Sequence, residues 1–141
     1  MPAPPGRSTD RVFLDANVLF SAAWRESAGL RELWRLEGVE LVTSAYALEE
    51  ARRNLGSDER RARLSQLVSD LELVAEAPRA LPEDIDLPEK DRPILGAALA
   101  AGATHLLTGD VTDFGELLGR EVEGLRVERP ATYLRRSLRQ G

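Results

Sequence analysis

The chain has 141 residues, of which 43% are hydrophobic and 30% charged, a balance that suits one globular domain and argues against disorder of the whole. It contains no cysteine, which excludes disulfides, thiolate metal sites and cysteine nucleophiles. The net charge is −5, which disfavours a nucleic-acid partner unless the basic residues gather on one surface.

Both ends of the chain are predicted to be tails around a single folded domain. Residues 1–9 are rich in proline and contain no apolar core, so we expect a flexible tail rather than a signal peptide. Residues 10–138 are predicted to form the domain, and residues 139–141 a short C-terminal tail. No apolar run approaches the roughly 20 residues that cross a bilayer, so we expect no membrane partner and a cytoplasmic location.

The first third of the chain alternates short apolar runs with helical patterns. Residues 11–15 are predicted to form a strand that ends in Asp15, and the apolar residues after it recur at helical spacing. Residues 30–37 are predicted to form a second helix that stops at Gly38. Residues 39–43 then form a second strand.

Two further helices are predicted before the middle of the chain. Ser44 is a natural N-cap for a helix that runs to about Leu55. Another helix starts at Ser57, and its leucines and valine repeat at i, i+3, i+4 and i+7 as far as Leu71. Residues 71–75 are a candidate third strand.

The remaining elements follow a connection at residues 76–88, which contains three prolines. They are a helix at 89–101, a strand at 104–108, a short helix at 113–119, a possible strand at 122–128 and a terminal helix at 131–138. Strands that alternate with helices predict an α/β fold of three layers, with a central parallel sheet of four to five strands flanked by helices.

Two acids follow predicted strands directly. Asp15 closes the first strand, and Asp110 comes just after the strand at 104–108. Because the carboxyl ends of parallel strands meet at one edge of a sheet, where ligands bind, these two acids should lie close together. Asp15 stands between apolar runs and is costly to bury unpaired, so it is either a helix cap or a functional group.

Two more acids lie on helices that can reach the same edge. Glu50 is about 9 Å along its helix from the end nearest the second strand. Its neighbour Glu49 points about 100° away around the helix, so only one of them can face the sheet edge, and we prefer Glu50. Asp91 lies in the first turn of its helix, where it could equally be a cap.

Four converging carboxylates would raise one another's pKa unless a cation neutralised them. Oxygen ligands without cysteine favour a hard ion such as Mg²⁺ or Mn²⁺, and the one histidine, His105, lies inside a predicted strand. One or two such ions can activate water for the hydrolysis of a phosphodiester without a nucleophilic side chain.

Four segments resemble, in order, the motifs of the PIN-domain family. They are VFLDANVLFS at 12–21, TSAYALEEARR at 43–53, KDRPILGAAL at 90–99 and LTGDVTDF at 107–114. Each motif alone is weak, whereas their order and spacing between about residues 11 and 135 are specific.

The resemblance implies a Mg²⁺- or Mn²⁺-dependent endoribonuclease. Many small PIN proteins similar to this chain are VapC-type toxins of toxin–antitoxin pairs, often homodimers held inactive by an antitoxin. Matched residue by residue, it implies four catalytic and metal-binding acids, a further metal ligand and two supporting polar residues. These are, respectively, Asp15, Glu50, Asp91 and Asp110; Asp113; and Asn17 and Thr108.

An RNA substrate also requires phosphate contacts. Two arginine clusters near the predicted site could supply them, with Arg52 and Arg53 in one and Arg135 and Arg136 in the other. The alternative for both clusters is a solvated helix face.

Two other functions compete with the nuclease. A haloacid-dehalogenase-like phosphatase would use Asp15 as its nucleophile, but its general acid would stand where this chain has Asn17, and an amide cannot cycle a proton. A catalytically inactive PIN domain could bind RNA or protein. Ala16 is compatible with that second alternative, since the family usually has threonine or serine there.

Overall fold

The computed structural model describes residues 9–26, 28–75 and 81–140. Most of the predicted N-terminal tail, the residues 76–80 of the predicted connection and the last residue of the predicted C-terminal tail lie outside this part of the chain. None of the described helices is both long enough and apolar enough to cross a bilayer.

The described strands and helices alternate through most of the chain. The strands are β1 (Asp10–Leu14), β2 (Val39–Ser44), β3 (Glu72–Val74), β4 (His105–Leu107), β5 (Glu121–Val122) and β6 (Leu125–Glu128). The α-helices are α1 (Ala16–Ala23), α2 (Ala45–Leu55), α3 (Asp58–Val68), α4 (Arg92–Ala100) and α5 (Pro130–Gln140), and a 3-10 helix spans Gly29–Arg35.

All of these strands join one sheet in the order β3-β2-β1-β4-β6-β5. The first five in this order pair in parallel, and only β5 runs antiparallel, against β6. This confirms the predicted central parallel sheet of four to five strands with flanking helices, and β5 adds a short antiparallel edge.

The topology places a crevice beside β1. From β1 the chain runs outward to β2 and β3, then returns to place β4 on the other side of β1. The order of strands therefore reverses between β1 and β4, and ligands of open α/β sheets bind beyond the carboxyl ends at such a point. The N–H of Asp15 donates to the carbonyl of Leu107 at 3.1 Å and holds the two strand ends together.

The predicted starts of α2 and α3 and the predicted end of α2 are confirmed, whereas α3 ends at Val68, before Leu71. The hydroxyl of Ser44 accepts a hydrogen bond from the N–H of Ala47, and that of Ser57 accepts one from the N–H of Arg60. Gly56 ends α2 with a left-handed backbone, φ 65°. Because Ser44 caps α2 directly at the end of β2, the first turns of that helix stay near the carboxyl edge of the sheet.

The helix predicted at residues 30–37 is instead a 3-10 helix that ends at Arg35. Leu36 has an extended backbone, which prevents further helical turns. A hydrogen bond ties it to α3, since the indole N–H of Trp34 donates to the carbonyl of Leu67 at 2.9 Å, and Leu33 is buried.

The prediction of a short helix at residues 113–119 is wrong, because this segment is a series of turns. The N–H of Asp113 bonds to the side chain of Asp110, and the N–H of Gly119 bonds to Val127 on β6, so neither is left for a helical ladder. A Cβ at Gly115 would lie 2.6 Å from the carbonyl oxygen of Val111, which shows how tightly the turns are folded.

The strand predicted at residues 122–128 is a hairpin of β5 and β6. Its two connecting residues, Glu123 and Gly124, both have positive φ angles, 50° and 87°. Two such residues between antiparallel strands are typical of a tight hairpin turn. The hairpin sets the start of β6, whose last residue, Glu128, accepts a backbone hydrogen bond from Thr108.

Candidate active site

Asp15 lies at the buried carboxyl end of β1, in the N-cap position of α1, and is 4% exposed. One carboxylate oxygen accepts a hydrogen bond from the N–H of Ala16 at 2.6 Å. The other accepts from the hydroxyl of Thr108 at 2.8 Å and from the amide of Asn17 at 3.2 Å. Asp15 is therefore both the cap of α1 and the centre of a polar network, so the two roles considered from the sequence do not exclude each other.

The environment of Asp15 acts on its charge in opposite directions. Burial is the largest influence and raises the pKa of the Asp15 carboxyl, whereas the hydrogen bonds from Thr108 and Ala16 lower it. The negative charges of Glu50 and Asp110 also raise this pKa, so both acids act electrostatically on Asp15.

Asn17 and Thr108 connect Asp15 to the turn after β4. The side-chain oxygen of Asn17 accepts a hydrogen bond from the N–H of Gly109 at 2.7 Å, and the hydroxyl of Thr108 accepts from the N–H of Asp110 at 3.1 Å. A Cβ at Gly109 would lie 3.3 Å from that same oxygen of Asn17, so the close approach suits glycine. The two polar side chains thereby position the backbone that carries Asp110.

An open cavity of about 320 Å³ lies beyond the carboxyl ends of β1 and β4. Its lining consists of Asp15, Ala16, Asn17, Phe20, Glu50, Asn54, Lys90, Asp91 and Asp110. All four acids predicted to be catalytic line it, although β1, α2, α4 and the turn after β4 are far apart in sequence.

Glu50, and not Glu49, lies at this cavity. Glu50 is half-buried and belongs to the lining, whereas Glu49 is exposed and has its carboxylate 3.6 Å from the guanidinium of Arg52. Of these two neighbours, only Glu50 therefore belongs to the lining of this cavity.

Asp91, Asp110 and Asp113 form a close acidic group. Carboxylate oxygens of all three lie within 4.8 Å of one another, so one ion could contact all of them. Asp91 is 7% exposed and occupies the N-cap position of α4, yet its side chain makes no capping hydrogen bond. Within the part of the chain that the structure describes, its buried oxygen Oδ2 has no hydrogen-bond partner. The capping role considered from the sequence does not account for this side chain.

A family model of the PIN domain matches residues 11–112. The chain belongs to the PIN-domain family. None of the curated proteins matches it.

Solved structures of VapC proteins share the fold of this PIN domain. A chain in the structure of VapBC2 from Rickettsia felis, bound to a DNA fragment from the VapBC2 promoter, has a TM-score of 0.62 at 16% identity. The match covers 84% of this chain and 98% of that chain. VapBC-1 from nontypeable Haemophilus influenzae has a TM-score of 0.57 at 16% identity, with 86% and 98% covered. VapC20 from Mycobacterium tuberculosis, a sarcin-ricin loop cleaving toxin, has a TM-score of 0.50 at 14% identity, with 82% and 98% covered. At these identities the likeness concerns the fold.

Asp91 and Asp113 of this PIN domain influence each other's pKa. Burial, and next the neighbouring carboxylate of Asp113, raise the pKa of Asp91 to about 6, against the opposing effect of Lys90. The contact with Lys90 holds the pKa of Asp113 below its ordinary value. Neighbouring acids are thus pushed apart in proton affinity, which is common at functional sites.

Besides Ala16, three lining residues were not predicted from the sequence as part of the site. Asn54 follows Glu50 by four positions and so shares its helix face, a signal that the sequence contains. Phe20 and Lys90 also line the cavity. The residue next to Asp91, Lys90, could have been noticed as the one lysine of the chain, but nothing in the sequence shows that it points toward the acids.

The arginines expected to contact RNA occupy different environments. Arg52 and Arg53 are exposed on α2, and Arg135 is exposed on α5. Arg136 donates two hydrogen bonds to Glu128, which is 3% exposed, so this arginine neutralises a buried acid at the end of β6.

Replacement of Thr108 by valine should lower the free energy of unfolding by about 1–2 kcal/mol, because Asp15 loses a buried hydrogen bond and the N–H of Asp110 loses its acceptor. Thr108→Ser keeps the hydroxyl and serves as the matched control. Urea unfolding in EDTA measures both. A loss of stability in Thr108→Ser without one in Thr108→Val would show that the methyl group, and not the hydroxyl, matters at this position.

Proposed function

We propose that this PIN domain is a metal-dependent endoribonuclease that hydrolyses phosphodiester bonds of RNA, and that it is the toxin of a toxin–antitoxin pair. The observation that carries the proposal is the convergence of Asp15, Glu50, Asp91 and Asp110 on one cavity. Family membership supports it, as does the shared fold with VapC20, whose described activity is cleavage of the sarcin-ricin loop.

The residues fit a hard divalent cation. The acids of the cavity offer only oxygen ligands, which Mg²⁺ and Mn²⁺ prefer. The buried Oδ2 of Asp91 has no hydrogen-bond partner among the described residues, and a bound ion would satisfy it. Asp91 and Asp110 are the proposed ligands from the close acidic group, with Asp113 as a further one, and Asp15 and Glu50 contribute from the opposite elements of the lining.

The chemistry requires little from the protein beyond positioning. One or two divalent ions would supply an activated water and neutralise the charge that develops on the phosphodiester. Asn17 and Thr108 hold Asp15 and the turn of Asp110 in place. Metal-binding carboxylates keep their orientation through hydrogen bonds with neighbouring groups, so these two polar side chains are proposed as positioning residues.

Glu50→Gln should reduce RNA cleavage in Mg²⁺ or Mn²⁺ by at least about 100-fold, since the loss of a ligand exceeds the effect of its supporting neighbours. Glu49→Gln removes the same charge one residue earlier, outside the cavity, and should leave cleavage close to wild type. A gel assay on several RNAs, with EDTA as a further control, compares them. Equal activity of both variants would refute the assigned site. Phosphatase activity on p-nitrophenyl phosphate without RNA cleavage would favour the phosphatase.

Arg52 and Arg53 are the proposed RNA contacts closest in sequence to the site. They extend from α2, the helix that carries Glu50, and both are exposed. A second open cavity of about 320 Å³ shares Asn17 and Asp110 with the first, so a strand of RNA could occupy both. Contacts to phosphates in this region would supply affinity without reading the sequence.

Arg53→Ala should weaken RNA binding and reduce the slope of log affinity against log salt by about 0.7–1, the effect of one lost phosphate contact. Fluorescence anisotropy in the Glu50→Gln background measures binding without cleavage. Arg120→Ala, at an exposed arginine just before β5, is the control. The same salt slope for Arg53→Ala and wild type would show that this arginine does not contact phosphate.

We also propose a cognate antitoxin and a homodimer as partners. The neighbours from Rickettsia felis and Haemophilus influenzae are VapBC structures, which supports the antitoxin. We expect the product of the adjacent reading frame to copurify with this chain and to suppress cleavage. For the chain purified alone, we expect light scattering to give twice the mass of one chain. A neighbouring product that neither copurifies nor inhibits would argue against the pair.

A further inference from the structure

Lys90 places an ammonium group against the close acidic group. Its Nζ lies 2.7 Å from Asp113 Oδ2, 3.4 Å from Asp91 Oδ2 and 3.9 Å from Asp110 Oδ2. These are the same three residues whose oxygens could share an ion. One lysine thus faces the carboxylates that a divalent cation would require.

A hydrogen bond fixes the backbone of Lys90, whereas its ammonium group can move. The hydroxyl of Tyr46 donates to the carbonyl of Lys90 at 3.0 Å, which ties the residue to α2. Its side chain is 59% exposed, and a lysine carries its charge on a flexible four-carbon stem. The ammonium can therefore leave the acids without a change in the backbone.

The contact with Asp91 is incomplete. Asp91 Oδ2 is buried and lies 3.4 Å from the ammonium, yet it accepts no hydrogen bond from the described residues. The ammonium of Lys90 at this distance offers a positive charge but does not donate a hydrogen bond to Oδ2. The buried oxygen is thus better suited to a different cation than to the one beside it.

We propose that Lys90 is an internal counter-ion of Asp91, Asp110 and Asp113, and that a divalent ion displaces its ammonium when it binds. This inference rests on the proposed metal-dependent function. Three carboxylates in close contact repel one another unless a positive charge lies among them, and Lys90 supplies it while no metal is bound. Since both cations are attracted to the same oxygens, Lys90 stabilises the metal-free protein and weakens the binding of metal.

Lys90→Gln should lower the melting temperature in EDTA and bind Mn²⁺ about three- to tenfold more tightly than wild type in calorimetry. Lys90→Arg keeps the charge and should have a melting temperature in EDTA close to that of wild type. Arg120→Gln removes one exposed positive charge elsewhere and should change neither quantity. Unchanged or weaker binding of Mn²⁺ by Lys90→Gln would overturn the inference, while binding of Mn²⁺ by wild type would leave the proposed function intact. If neither protein binds Mn²⁺, both proposals fail.

A second measurement uses the unaltered protein. Because Lys90 is the one lysine in the sequence, ¹³C-lysine labelling gives a single Cε resonance for it. We expect this resonance to shift as Mg²⁺ is added and to stop shifting at saturation. A resonance that stays in place while Mg²⁺ binds would show that the ammonium does not move, and would contradict displacement.

Discussion

A carboxylate at the buried end of the central strand is the constraint on which the rest of this site depends. Asp15 cannot keep its charge there without donors, and it finds them in the backbone of Ala16, the hydroxyl of Thr108 and the amide of Asn17. Two of these donors belong to α1, and the third follows β4. The pairing of β4 with β1 therefore brings the third donor to Asp15.

Reversal of the strand order beside β1 explains why the remaining acids gather around this carboxylate. The crevice opens between β1 and β4, and α2 and α4 begin near the same edge of the sheet. Glu50 enters from the first of these helices and Asp91 from the second. The acids are stabilised in two ways, because neutral donors hold Asp15, whereas the exposed ammonium of Lys90 faces Asp91 and its neighbours.

Periodicity was enough to predict the succession of strands and helices, since apolar spacing and capping serines are local signals. It also predicted that Asp15 and Asp110 meet, because parallel strands bring their carboxyl ends to one edge. It failed at residues 113–119, where hydrogen bonds to the Asp110 side chain and to β6 replace a helical ladder. The contact between Lys90 and three acids could not be predicted from the sequence either, since it depends on the tertiary position of the turn after β4.

The net charge of this chain does not describe how its charges are distributed. Glu128 is paired with Arg136, whereas the single guanidinium of Arg11 lies between two exposed carboxylates, those of Glu40 and Glu72. The pair of Glu128 with Arg136 cancels in the net charge of −5, whereas Arg11 with its two glutamates leaves one negative charge in excess. The charge that a phosphate meets depends on the cavity and on exposed arginines such as Arg53. If a cation binds in the cavity as proposed, it changes the charge that an RNA phosphate meets there, and the summed charge of the chain does not show this change.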